Sequence, residues 1–134
     1  MRVDGKPTRT IWPAANGSDV MIIDQTRLPH EFVISKLATL DDFAVAIKDM
    51  KVRGAPLIGV TAAYGLAIAL RDDPSDAGLA AANTKLLATR PTAVNLFWAI
   101  ARMRERYSAL AGRRFLCAFG MRGRSDEQPC CGCL

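Results

Sequence analysis

The sequence predicts an α+β domain in which a small antiparallel sheet of three strands comes first and a bundle of about four helices follows. Short apolar runs separated by turn residues fill positions 9–37. From about residue 40 to residue 111, the apolar residues instead recur at helical spacing. The chain of 134 residues has 50% hydrophobic and 23% charged residues, which is ordinary composition for one folded domain.

The predicted sheet comes from three short runs, "RTIWPA", "DVMIID" and "EFVISKL". Asn16-Gly17 separates the first two runs and favours a hairpin, because these residues tolerate the positive φ of a tight turn. Asp24 is interpreted mainly as the end of the second run, although its carboxylate could also orient a neighbour. "TRLPHE" predicts the next turn, and His30 within it is interpreted as a turn or packing residue rather than a general base.

The first and third helices are predicted from a capping residue followed by an apolar stripe. Thr39 and Asp42 have the spacing of a capping box at the start of the first helix. Ser75 is the expected N-cap of the third helix. The stripes that follow are Phe43, Ile47 and Met50 in the first helix and Leu79, Ala82 and Leu86 in the third.

The second and fourth helices are predicted from their apolar patterns. In the uncharged run 54–70 the apolar residues lie on all sides, which predicts a central, fully packed helix rather than a membrane span. The fourth helix is expected to begin near "RPTAVN". Trp12 and Trp98 are interpreted as core or inter-domain packing. The apolar stripe of the fourth helix is Leu96, Ile100, Met103, Tyr107 and Leu110.

Two arginines each stand just before a proline and the start of a helix. Arg53 precedes Gly54-Ala55-Pro56, and Arg90 precedes Pro91-Thr92, where the proline is expected to start the helix and the threonine to help cap it. The free N–H groups of a first turn favour anions, and arginine adds a permanently charged fork. If the two helices are neighbours, both guanidinium groups could bind one phosphate or carboxylate. The alternative is that both are ordinary surface arginines.

The net charge of +5 does not by itself indicate a nucleic-acid-binding protein, because the basic residues are scattered along the chain. Arg102, Arg104 and Arg106 form a cluster, but Glu105 interrupts it, and we interpret it as a solvated helix face. The start of the chain has no apolar segment of a secretory signal, so a cytoplasmic protein is expected. The sequence therefore predicts neither a nucleic-acid partner nor a membrane partner.

The cysteines lie near the end of the chain, and several interpretations of them are considered. Their spacing lacks the paired C-x2-C arrangement of structural zinc sites, and the last four residues lack the aliphatic positions of a prenylation signal. Disulfides are disfavoured in the reducing compartment expected for this chain. The favoured interpretation is a disordered or non-native tail over 113–134 that binds no metal. The four residues are Cys117, Cys130, Cys131 and Cys133.

Three segments in order, "IDQTRLPHEF", "VRGAPLIGVTAAYGLAIAL" and "ATRPTAVNLFWAIARM", closely resemble the N-terminal part of methylthioribose-1-phosphate isomerases. The resemblance runs from about residue 3 to residue 110. It extends to a broader superfamily that includes ribose-1,5-bisphosphate isomerases and the regulatory subunits of the eukaryotic initiation-factor exchange complex. "IDQTRLPH" favours the methylthioribose branch.

The resemblance implies an aldose–ketose isomerase of methionine salvage, which moves hydrogen between C1 and C2 of a ring-opened sugar phosphate without a metal or other cofactor. It implies that Arg53, Gly54 and Ala55 form a substrate-binding motif and that Arg90 is a second binding arginine. The family's catalytic cysteine and aspartate belong to a Rossmann-like second domain. No catalytic residue is therefore expected in this chain.

The resemblance also predicts how the chain is organised. An isomerase-like N-terminal domain is expected over residues 1–112, with the Rossmann-like domain absent and a truncated or out-of-frame tail over 113–134. Such a fragment is expected to bind the sugar phosphate with little or no turnover alone. The family suggests a homodimer whose contacts lie largely in the absent domain. The alternative is a non-catalytic interaction or regulatory protein of the same superfamily.

Overall fold

A three-stranded antiparallel sheet followed by four helices makes up most of the described chain, so the predicted α+β class is confirmed. The structure is a computed structural model and describes residues 2–110. In chain order its elements are β1 (Arg2–Val3), β2 (Lys6–Pro7), β3 (Ile11–Pro13), β4 (Val20–Ile23), β5 (Ile34–Leu37), α1 (Leu40–Lys48), α2 (Ala55–Asp72), α3 (Asp76–Thr89) and α4 (Val94–Leu110).

β4 is the central strand of the three-stranded sheet and pairs antiparallel with both β3 and β5. Ile11 of β3 lies opposite Ile22 of β4, and Val20 of β4 lies opposite Leu37 of β5. Val20, Ile22 and Leu37 are buried in the same apolar cluster as the helices. One face of the sheet therefore packs on the helical layer, as expected for an α+β domain.

Two hairpins precede the helices, and the sequence reading predicted only the second. The β3–β4 turn contains Asn16 and Gly17, and the Gly17 N–H donates to the Ala14 carbonyl at 2.9 Å. The predicted hairpin is therefore confirmed. The β1–β2 hairpin turns at Asp4 and Gly5, whose φ angles are 50° and 76°. Asp-Gly is a known hairpin signal, so this turn was also readable from the sequence.

α1 begins with the predicted capping box. The Thr39 hydroxyl accepts a hydrogen bond from the Asp42 N–H at 3.3 Å, and the Asp42 carboxylate accepts one from the Thr39 N–H at 3.0 Å. Phe43 and Ile47, the first two members of the predicted stripe, are fully buried. The box thus starts the helix with its apolar face toward the core.

Met50 does not belong to the buried face of α1, contrary to the prediction. The helix ends at Lys48, and Met50 lies beyond it with a φ of 59° and a side chain that is 43% exposed. The Lys51 N–H turns back to donate to the Ala46 carbonyl at 3.0 Å. Because the chain reverses here, helical spacing no longer decides where Met50 points.

α2 is the central helix and packs against α1, α3 and α4. Its glycines allow close approach. A Cβ added to Gly65 would lie 2.9 Å from the Phe43 Cβ of α1, and one added to Gly59 would lie 3.2 Å from the Asn95 carbonyl oxygen of α4. Val60 is 44% exposed, however, so the expectation of packing on all sides is wrong. A groove between α2 and α4 opens beside it.

α3 and α4 carry their predicted caps and apolar stripes in part. The Ser75 hydroxyl caps α3 by accepting from the Gly78 N–H at 3.0 Å. Trp98 of α4 is 65% exposed, so it does not pack in the core of the described domain. The arginine cluster of α4 is exposed, as interpreted. The buried stripe residues are Leu79, Ala82 and Leu86 of α3 and Leu96, Ile100, Met103 and Tyr107 of α4.

The predictions about a membrane span and about the tail concern different parts of the chain. Over residues 2–110, no helix has both the length and the apolar character needed to cross a membrane. The predicted tail over 113–134 and its four cysteines lie outside the described residues. The domain boundary at residue 112 therefore stays a prediction.

Replacing Gly65 with alanine tests the close approach of α1 and α2. In an open helix this change stabilises by roughly 0.5–1 kcal/mol, but the new methyl group would overlap Phe43. We expect Gly65→Ala to lower the free energy of unfolding by about 1–3 kcal/mol in urea titrations. Ala88→Ser, which adds one heavy atom to an exposed position of α3, is the control. A Gly65→Ala variant as stable as the parent would contradict the packing described.

Candidate anion-binding site at two helix starts

The first turn of α2 presents uncapped backbone groups to solvent. Gly54 is the N-cap residue, with a φ of 93°, and no side chain caps the helix at this end. A φ of this size favours glycine, and a Cβ added here would meet nothing within 4 Å. Ala55 and Pro56, the first two helical residues, are also exposed. The N–H groups of this turn are therefore open to an anion.

Arg53 stands directly before this turn and is exposed, while Val52 beside it is fully buried. Within the described part of the chain, the guanidinium group of Arg53 makes no hydrogen bond or ion pair. The buried Val52 side chain fixes the backbone next to a free cationic group. This arrangement holds the charge at the helix start without neutralising it.

Arg90 reaches the start of α4 differently from the prediction. Arg90 is the C-cap residue of α3, and its carbonyl accepts from the Ala93 N–H at 3.1 Å. This turn carries Pro91 past the end of α3, and α4 begins only at Val94. The expectation that Pro91 starts the helix and Thr92 helps cap it is therefore wrong. Arg90 is half-buried and, among the described residues, its guanidinium group has no partner.

α2 and α4 are neighbours that run parallel. Gly59, near the start of α2, packs against the backbone of Asn95, near the start of α4. At the other end, the Tyr107 hydroxyl of α4 donates to the carbonyl of Pro74, just beyond α2. Both helices therefore begin at the same end of the pair. Arg53 precedes the start of α2 and Arg90 precedes the start of α4, so both lie toward this end of the pair. That the two arginines bind one anion stays a prediction.

The charges at the four helix starts differ in a consistent way. α1 has Asp41 and Asp42 in its first turn, and α3 has Asp76, as the helix dipole favours. α2 and α4 have no acidic residue in the first turn. In place of an acid, Arg53 or Arg90 precedes each of these two helices. The two neighbouring helix starts thus keep their positive character available to a bound anion.

A contact that the sequence reading missed joins the loop before Arg53 to the sheet. The Gln25 N–H donates to the Lys51 carbonyl at 2.9 Å. Asp24, which is 6% exposed, accepts from the Thr26 N–H at 2.9 Å and from the Thr26 hydroxyl at 2.5 Å. Asp24 therefore orients a neighbour in addition to ending the strand. The "IDQT" motif gave a signal for this turn, but nothing in the sequence paired it with Lys51.

The charge state of Asp24 follows from its surroundings. Burial opposes ionisation of the carboxyl group, but the hydrogen bonds from Thr26 and the positive charges of Lys51 and Arg27 outweigh it. The pKa of Asp24 therefore lies below its ordinary value of 3.8, and the group is a carboxylate at neutral pH.

The two arginines make this a candidate site for an anion. Across residues 2–110, no group of three or more His, Cys, Asp or Glu side chains is placed to hold a metal ion. His30 is exposed in the turn after β4, as interpreted. The chemistry that these residues support is recognition of a phosphate or carboxylate group.

Comparison with known proteins identifies the family. Residues 51–114, which include all of α2, α3 and α4, match the Initiation factor 2 subunit family. This part of the chain is a domain of that family. The match begins two residues before Arg53 and includes Arg90, so both helix starts of the candidate site lie inside the family domain.

Several proteins with similar sequences are named methylthioribose-1-phosphate isomerase. The protein of that name from Methylorubrum populi is 63% identical over 103 residues, which cover 77% of this chain and 28% of the relative. The one from Methylocella silvestris is 57% identical over 134 residues, which cover 97% of this chain and 37% of the relative. The chain thus spans about a third of the length of these relatives. The second alignment extends past residue 112.

Two solved structures of longer proteins share the fold. 5-Methylthioribose 1-phosphate isomerase from Pyrococcus horikoshii superposes with a TM-score of 0.71 at 36% identity, over 86% of this chain and 33% of that one. The delta subunit of translation initiation factor eIF-2B from A. fulgidus superposes with a TM-score of 0.72 at 31% identity, over 85% and 34%. The fold is therefore common to an isomerase and to an initiation-factor subunit.

The lowered pKa of Asp24 gives a pH-dependent contribution to stability. A group with a depressed pKa in the folded state stabilises the fold above its unfolded pKa, and this contribution is lost as the pH falls through the folded pKa. We expect Asp24→Asn to lower the free energy of unfolding by about 1–2 kcal/mol at neutral pH. The difference in unfolding free energy between Asp24→Asn and the parent should disappear as the pH falls below 3.8. Urea unfolding over this pH range checks it, and a gap that stays constant with pH would contradict it.

Proposed function

We propose that this chain is the substrate-binding N-terminal part of an S-methyl-5-thioribose-1-phosphate isomerase. The reaction converts this aldose phosphate to the ketose methylthioribulose-1-phosphate in methionine salvage. The observation that carries the proposal is the pair of arginines at two neighbouring, parallel helix starts that lack acidic residues. The relatives named methylthioribose-1-phosphate isomerase support the choice of substrate.

The proposed binding residues are Arg53, Gly54, Ala55 and Arg90. Arg53 and Arg90 bind the phosphate oxygens, because a guanidinium fork matches their geometry. Gly54 leaves the space before α2 open, and Ala55 supplies a backbone N–H of the first turn. No described residue is proposed as catalytic, and no metal or other cofactor is proposed. The setting proposed for this reaction is the cytoplasm.

In this proposal, these residues bind the substrate and residues of a second domain transfer the proton. This chain alone therefore binds the sugar phosphate with little or no turnover. The longer relatives, of which the chain covers 28% and 37%, have room for such a domain. The family homodimer is proposed to form through that domain.

Conservative substitution of the two arginines tests the proposal. Arg53→Lys and Arg90→Lys keep the charge but remove the planar fork, so each should raise the dissociation constant for S-methyl-5-thioribose-1-phosphate about tenfold. Isothermal titration calorimetry measures this. Arg104→Lys, an exposed position on α4, is the matched control and should bind like the parent. Parent-like binding by both site variants would contradict the assignment of Arg53 and Arg90 to substrate binding. Ketose formation by the parent chain alone would contradict the proposal that a second domain is needed for proton transfer.

A second candidate is a non-catalytic interaction or regulatory protein of the same superfamily. Its support is the structural likeness to the eIF-2B delta subunit and the apolar groove between α2 and α4. The groove has a volume of about 360 Å³, and Trp98 and Val60 at its sides are exposed. Contiguous apolar surface of this kind is typical of protein–protein contacts.

Size-exclusion chromatography separates the two candidates. The second candidate predicts that the 14.5 kDa chain associates through the groove and that Trp98→Glu returns it to the monomer. Val45→Glu, at an exposed apolar position of α1, is the matched control and should leave association unchanged. A parent chain that elutes as a monomer would count against this candidate and would leave the binding proposal intact.

A further inference from the structure

Two backbone hydrogen bonds of Lys51 hold the loop that places Arg53 at the start of α2. The Lys51 N–H donates to the Ala46 carbonyl of α1 at 3.0 Å, and the Lys51 carbonyl accepts from the Gln25 N–H at 2.9 Å. The first bond comes from the helix that precedes the loop. The second comes from the chain that leaves β4, so it ties the loop to the sheet. Arg53 lies two residues further on.

The donor of the second bond is itself fixed by a side-chain turn. Gln25 lies between Asp24 and Thr26, and the Asp24 carboxylate accepts from both the N–H and the hydroxyl of Thr26. Asp24 also donates its own N–H to the Val33 carbonyl at 2.9 Å. A turn closed by an aspartate in this way leaves little freedom to the residue in its middle. The Gln25 N–H is thereby held toward Lys51.

We infer that Asp24 and Thr26 are positioning residues for Arg53, acting through the hydrogen bond between Gln25 and Lys51. Their turn fixes the backbone of the loop over 51–54, and the loop fixes where the guanidinium group starts. Arg53 itself has no partner among the described residues that could orient it. The backbone hydrogen bonds of Lys51 therefore hold Arg53 at the start of α2. The role of the hydrogen bond between Gln25 and Lys51 in ligand binding rests on the proposed function. The presence of this hydrogen bond, which we call the anchor, does not.

The chain contains a matched turn that serves as an internal control. Asp73 accepts from the Ser75 N–H at 3.1 Å and from the Ser75 hydroxyl at 2.7 Å, which is the same arrangement as at Asp24 and Thr26. This second turn lies between α2 and α3, at the end of α2 opposite Arg53. Ser75 also caps α3, so its loss should affect stability at least as much as loss of the Thr26 hydroxyl. Any effect specific to Arg53 should appear at the first turn alone.

Amide hydrogen exchange on the full chain without ligand tests the anchor. Thr26→Val removes the hydroxyl donor, and we expect the Gln25 and Lys51 amides to exchange about tenfold faster than in the parent, relative to the buried amides of α2. Thr26→Ser keeps the donor and should restore the parent rates. Ser75→Ala should leave these two amides unchanged. Unchanged exchange in Thr26→Val, or equal acceleration in Ser75→Ala, would overturn the inference whatever the ligand.

Titration with S-methyl-5-thioribose-1-phosphate tests the consequence for the site. Asp24→Ala and Thr26→Val should raise its dissociation constant about tenfold, while Asp73→Ala and Thr26→Ser bind like the parent. Parent-like binding by Asp24→Ala and Thr26→Val would overturn the positioning role. A parent chain that does not bind the sugar phosphate at all would count against the proposed function. The hydrogen-exchange result would then decide by itself whether Asp24 and Thr26 fix the loop at Lys51.

Discussion

The close approach of α2 to α1 and α4 is the constraint on which the rest of the described domain depends. At Gly65 and Gly59 the helix has no side chain, so Phe43 and the backbone of Asn95 occupy space that a Cβ would need. Because α2 and α4 pack this closely and run parallel, their N-termini are brought to one end of the pair. The packing of the core thereby also decides which loops meet at the candidate site.

The electrostatics of that end differ from those of an ordinary helix pair. A cation at a helix N-terminus is unfavourable by roughly 0.3–1 kcal/mol, and neither α2 nor α4 offsets it with an acidic first turn. α1 and α3 in the same domain do begin with acidic residues. A bound phosphate would satisfy both the arginines and the free N–H groups. The arrangement is thus better suited to a liganded state than to an empty one.

Support for Arg53 comes from the sheet as well as from the helices. The bond from Gln25 to Lys51 spans the two layers of the domain, and the buried Val52 side chain adds an apolar anchor next to it. A flexible cationic side chain gains precision mainly from the backbone that carries it. Under the proposed function, this backbone support positions Arg53, which has no side-chain partner among residues 2–110.

The α+β class, the capping box of α1 and the cap of α3 were predicted correctly from the residues, because these features depend on local spacing and turn chemistry. The predictions failed at Met50, where the chain reverses after α1, and at Pro91, because α4 starts later than this proline. The parallel packing of α2 and α4 and the hydrogen bond between Gln25 and Lys51 became visible only in the folded domain. Contacts between residues distant in sequence depend on how whole elements pack, which periodicity does not encode.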